Sequence, residues 1–120
     1  MTTQLNKLYT LISEFPEDAQ AVTRLAKYIE SRNGKATVLS INRLYDLANP
    51  SSQLSLAKII QRYIDIGVLR EIIRVELEGM DGNRDFNKIE DIPKTVHDYK
   101  RDLDVPVKAK DLSLYYSVEV

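Results

Sequence analysis

The chain contains no cysteine. That excludes a disulfide framework and thiolate metal sites. His97 is the one histidine, so a zinc site would have to be assembled almost wholly from carboxylates, which zinc seldom accepts. The four glycines are scattered as turn residues and make no phosphate-cradling loop. No apolar run approaches the roughly 20 residues of a membrane span. The opening residues, Met1-Thr2-Thr3-Gln4-Leu5-Asn6-Lys7, have no basic stretch followed by an apolar one, so no signal peptide is expected. These absences predict no metal, no cofactor, no membrane association and a cytoplasmic location. No cluster of acid, base and ligand side chains is visible in the sequence, so no catalytic residues are expected and the chain is not expected to be an enzyme.

What is present is ordinary globular composition. Of 120 residues, 43% are hydrophobic and 29% charged, enough for a core without covalent staples. That length predicts a single domain spanning 1–120. Net charge is −1, but it is unevenly spread. Residues 1–74 hold ten Lys/Arg against seven Asp/Glu, and residues 75–120 hold seven against eleven. A nucleic-acid face is therefore expected in the first two-thirds, and the second part reads as acidic.

Four helical stripes come first. Leu5, Leu8, Tyr9 and Ile12 fall at i, i+3, i+4 and i+7, with Thr2 or Thr3 as cap. Phe15-Pro16 breaks that helix, and Pro16-Glu17-Asp18 opens the next with acid at its positive end. Its stripe is Val22, Leu25, Ala26 and Ile29, closed by Asn33-Gly34. A short apolar segment, 36–39, precedes Ser40 and a third stripe of Ile41, Leu44, Tyr45 and Ala48. Asn49-Pro50-Ser51-Ser52 is a turn. The fourth stripe is Leu56, Ile59, Ile60 and Tyr63, ended by Gly67.

The period then changes to two. Ile73, Val75 and Leu77 alternate with Arg74, Glu76 and Glu78, the pattern of a half-buried strand. Residues 79–87 are turn-rich, and 88–111 are polar, with one short strand pair expected around 95–107. The last segment alternates again, with Leu112, Leu114, Tyr116, Val118 and Val120 on one face. Helices first and strands last predict an α+β fold: N-terminal helices (1–34), a helix-turn-helix core (36–78), and an extended wing with a C-terminal strand (79–120).

The stretch 37–78 resembles the winged helix-turn-helix superfamily, of the bacterial or phage regulator or adaptor type. The likeness is carried by Leu56-Ala57-Lys58-Ile59-Ile60-Gln61-Arg62-Tyr63-Ile64-Asp65-Ile66-Gly67-Val68-Leu69. It implies a recognition helix over about 52–66, a glycine turn at Gly67 into the first wing strand, and residues 36–39 as the first strand of a three-stranded antiparallel sheet. The helix over 40–48 would brace the recognition helix. The departure is the wing, where some thirty residues, acidic on balance, stand in place of a short hairpin loop.

With its stripe inward, the fourth helix would present Ser55, Lys58, Gln61 and Arg62 outward, types that contact phosphates and base edges in double-stranded DNA. Arg84 and Lys88 would add wing contacts. That face implies a dimeric DNA-binding transcription regulator, with Leu11 as one dimer contact. The alternative is an adaptor that holds another protein. For it, residues 112–120 would lie at a sheet edge and invite a partner strand, with Tyr115 and Tyr116 adding contact area. Asp81-Gly82-Asn83-Arg84-Asp85 resembles the start of a calcium loop, but Phe86 and Ile92 occupy the positions that need glycine and glutamate. It is read as a wing turn. His97 is read as surface, and Asp98-Tyr99-Lys100, although it can be fitted to a nuclease-like pattern, as a triplet common in charged loops.

Overall fold

The computed structural model describes residues 3–80, 82 and 84–120, with side chains from Lys7 onward. The cap by Thr2 or Thr3, Leu5 of the first stripe, and the loop positions Asp81 and Asn83 therefore lie outside the described side chains.

The architecture is α+β. Four helices come first, α1 (Thr3–Thr10), α2 (Ala19–Ser31), α3 (Ile41–Ala48) and α4 (Gln53–Asp65), with β1 (Val38–Ser40) before α3. The strands β2 (Leu69–Val75), β3 (Arg84–Phe86), β4 (Thr95–Asp98), β5 (Leu103–Pro106) and β6 (Leu112–Val118) follow. One sheet has the order β1-β6-β2-β3, and β4 and β5 form a separate antiparallel pair. The chain divides into two compact units, Met1–Arg70 with Tyr116–Val120, and Glu71–Tyr115.

In the first unit the apolar stripes become a core. Leu8, Val22, Leu25, Ala26, Ile29, Leu44, Leu56, Ile59 and Tyr63 are all buried there, together with Val68, Tyr116 and Val118. Each inner stripe is narrow, so a short helix buries only its centre. In α3, Leu44 and Ala48 are buried while Ile41 and Tyr45 are 42% and 38% exposed. At about 100° per residue, Ile41 and Tyr45 lie about 60° and 100° round the helix from Leu44. The stripe was thus wider than the surface α3 can press inward.

The C-terminal segment is interior to the sheet, which corrects the expectation of an edge strand. The Val118 N–H donates to Thr37 O and the Glu119 N–H to Val68 O, both at 2.9 Å, so its two sides are already paired. The Gly34 N–H also donates to Val120 O. Its alternation is cut short as well: Leu114, expected inward, is 47% exposed.

The exit from α4 is set by glycine. Gly67 has φ +80°, its N–H donates to Ile64 O, and the Val68 N–H reaches back to Tyr63 O at 2.9 Å. This double bond pattern ends a helix only when one residue turns left-handed. A Cβ on Gly67 would meet nothing within 4 Å, so Gly67→Ala bears the backbone cost alone. Its urea midpoint is expected to fall by the equivalent of about 1 kcal/mol, with an unchanged slope.

In the second unit Ile72, Ile73, Val75 and Val96 are buried. The polar stretch 88–111 carries the β4–β5 hairpin, with Val96 opposite Val105, where one short strand pair was expected.

Candidate interaction surface

α3 and α4 are fixed by their termini. Ser40 caps α3, its hydroxyl accepting from the Arg43 N–H at 3.1 Å. Ser52 caps α4 in the same way, from the Ser55 N–H at 3.0 Å. Between them Asn49 turns left-handed at φ 47°, and its N–H donates to Tyr45 O.

α2 and the turn before it clamp this connection. Buried Asp18 accepts from the Ser51 N–H at 2.8 Å and from the Ser51 hydroxyl at 3.0 Å. Those bonds, the backbone N–H foremost, hold its carboxyl below the usual value. Arg24 donates from Nε and Nη2 to Ala48 O at 2.9 and 2.8 Å, placing a cation at the negative end of α3.

The expected DNA-facing residues of α4 share one helix but differ in what they can reach. Ser55 is half-buried, its hydroxyl bonded to Ser52 and Ser51. Gln61 donates to Asp65 at 2.9 Å. Arg62 makes a two-bond contact with Glu14 at 2.9 and 3.2 Å and meets Asp65 at 3.3 Å. The Glu14 carboxylate holds the Arg62 charge more firmly, and Arg62 lowers the Glu14 carboxyl in return. Lys58 is exposed with no ion-pair partner among the described residues. Of the two cations on this face, Arg62 is thus engaged by two carboxylates and Lys58 stays open.

Arg84 and Lys88 are exposed but belong to the other unit. Tyr115 is closed over within that unit: the Arg74 guanidinium lies 4.4 Å above its ring, and its hydroxyl donates to Glu76 at 3.1 Å. Arg74 in turn holds Asp85 at 2.8 Å. Tyr116 is 7% exposed, in the core of the first unit, so the two tyrosines form no shared surface. Their alternate parity along β6 sends them to opposite faces. Leu11 is also buried in the core rather than offered to a second copy.

The residues that sequence reasoning missed are apolar. Ile41 and Tyr45 on α3 and Leu54 on α4, the last 66% exposed, are open to solvent. A cleft of about 650 Å³ runs between α3 and α4, lined by Ile41, Tyr45, Asp46, Gln53, Leu56 and Ala57. Arg43 turns away to the Tyr28 ring at 5.8 Å, and Asp46 is exposed with no ion-pair partner among the described residues. The available signal was Leu54, an apolar residue off the α4 stripe.

Among the described residues no group of three or more metal-ligating side chains is placed to hold an ion, and no helix is long and apolar enough to cross a membrane. Asp98 of the Asp98-Tyr99-Lys100 triplet is buried and bonded to the Lys100 and Arg101 N–H groups and to Arg101 Nε. No protein-family model, curated protein or solved structure matches the chain.

Proposed function

We propose that the chain is a non-enzymatic adaptor of winged-helix type, which docks an amphipathic segment of another protein in the cleft between α3 and α4. The carrying observation is the exposed pair Ile41 and Tyr45 lining that cleft, with exposed Leu54 next in sequence to Gln53 of its α4 wall. Apolar side chains of this size, grouped on a surface, mark interaction sites. The winged-helix reading is supported by β1, β6 and β2 as neighbours in one sheet and by the left-handed Gly67 between α4 and β2. The occupant's chemistry follows from charge: apolar residues fill the cleft, and a Lys or Arg on the segment's rim meets Asp46. The C-terminal strand has no part in this contact.

The test places a photo-crosslinking residue at Tyr45 in the native host, and then measures affinity for the purified captured protein. Leu54→Glu is expected to weaken binding at least thirtyfold, the effect of losing one strong interface anchor. Asp46→Lys is expected to weaken it further, and Lys58→Glu to leave it unchanged. Both α4 sites are exposed, so folding is expected to be preserved. Binding indifferent to Leu54→Glu and Asp46→Lys overturns the reading.

The second reading, a duplex-DNA regulator, is favoured by Lys58, exposed on the helix that would enter a major groove. It requires duplex binding at about 50 mM salt that falls steeply as salt rises. Lys58→Glu with Arg62→Glu would remove that binding and leave the fold intact. A wild-type protein that binds no duplex at low salt ends it.

A further inference from the structure

The second unit carries a separate small cleft, of about 180 Å³, lined by Gly79, Met80, Arg84 and the hairpin residues His97, Asp98, Tyr99 and Lys100. The hairpin that forms one wall is held by its own side chains. Buried Asp98 accepts from the Lys100 and Arg101 N–H groups at 3.0 and 3.3 Å and from Arg101 Nε at 2.6 Å. Asp102 closes the loop at φ 49°. His97 is held from both sides, Nδ1 at 2.8 Å from Asp104 and Nε2 at 3.3 Å from Asp102. The edge of one ring meets the other where His97 and Tyr99 approach at 4.6 Å. The result is a braced hairpin tip that leaves Tyr99 82% exposed.

Arg84 supplies the charge. In the β2–β3 register Arg84 lies opposite Val75 and Asp85 opposite Arg74. Successive strand residues face opposite sides, so Asp85 goes to Arg74 and Arg84 is left without a carboxylate partner among the described residues. Among the described acids of this hairpin, Asp98 is paired with Arg101, and Asp102 and Asp104 face the two ring nitrogens of His97.

We propose that this cleft binds a nucleoside phosphate, its base stacked on Tyr99 and its phosphate paired with Arg84. An open aromatic face stacks any base, and a guanidinium pairs with phosphate through two parallel bonds. The volume is below the roughly 300 Å³ of a pocket that encloses a whole small ligand. Only part of the ligand is enclosed, so the same chemistry is met by a free mononucleotide or by an unpaired nucleotide within a single strand.

Calorimetric titration of the full chain with AMP, adenosine, inorganic phosphate and a ten-residue oligothymidylate separates these sources. AMP or the oligonucleotide is expected to bind with Kd of about 1 mM or tighter, and adenosine and phosphate each at least tenfold more weakly. Tyr99→Ala and Arg84→Ala are each expected to weaken binding about tenfold, Tyr99→Phe to retain it, and Lys27→Ala on α2 to change nothing. Binding of AMP assigns the site to a free nucleotide, and binding of the oligonucleotide alone assigns it to a strand. Failure of both, or binding that survives Tyr99→Ala and Arg84→Ala, overturns the proposal. Neither outcome bears on the α3–α4 cleft, which is tested through Leu54 and Asp46.

Discussion

Tyr63→Ala is expected to lower the free energy of unfolding by about 4 kcal/mol, the largest loss of any single substitution considered. Tyr63 sits in the middle of α4 and is fully buried in the core of the first unit. Truncation removes an aromatic ring and leaves a cavity that its neighbours fill only in part. Burial also pushes the hydroxyl's ionisation far above its ordinary range, so it is a neutral donor at every accessible pH. Its bond to Val22 O is long, at 3.4 Å. Tyr63→Phe is therefore expected to cost about 1 kcal/mol or less. Against a total of about 5–15 kcal/mol, the alanine variant loses a large share of its stability and the phenylalanine variant little. Urea unfolding followed by circular dichroism measures both. A Tyr63→Ala loss under about 1 kcal/mol would mean that the ring is not a core element.

Much of the first unit was legible because its signals are local. Ser40 and Ser52 as caps, Asn49-Pro50-Ser51-Ser52 as turn and Gly67 as helix stop all act within one or two turns of chain. The period of apolar residues likewise placed α2 and α4 closely. What stayed hidden depends on partners distant in sequence. The ion pair that engages Arg62 joins residues 48 apart, and nothing in the α4 pattern points to Glu14. The place of β6 inside the sheet depends on strands on both sides of it, and alternation alone is the same for an edge and a central strand. The exposed Ile41 and Tyr45 were hidden for a third reason: a two-turn helix shows too few residues for its stripe to distinguish centre from rim. The candidate surface thus moved from the charged face of α4 to apolar residues that periodicity had assigned to the core.

Asp18→Asn is expected to reduce stability by about 2 kcal/mol at pH 7, the range for a hydrogen bond to a charged group. The carboxylate joins the turn before α2 to the turn between α3 and α4, through both the N–H and the hydroxyl of Ser51. An amide in its place keeps one good acceptor and loses the charge. The sign of the pH dependence follows from the lowered carboxyl. A group whose folded pKa lies below its ordinary value of 3.8 gives stability that is complete above about pH 5 and is lost as pH falls through the folded pKa. Urea midpoints of the wild type and Asp18→Asn are therefore expected to differ most at pH 7 and 5 and to draw together as pH falls below 3.8. A gap that stays constant across that range would show that shape, not charge, is what Asp18 contributes. Because this turn fixes how far Ile41 and Tyr45 stand from Gln53 and Ala57, acid that loosens it should also weaken whatever the α3–α4 cleft holds, before the core built on Tyr63 gives way.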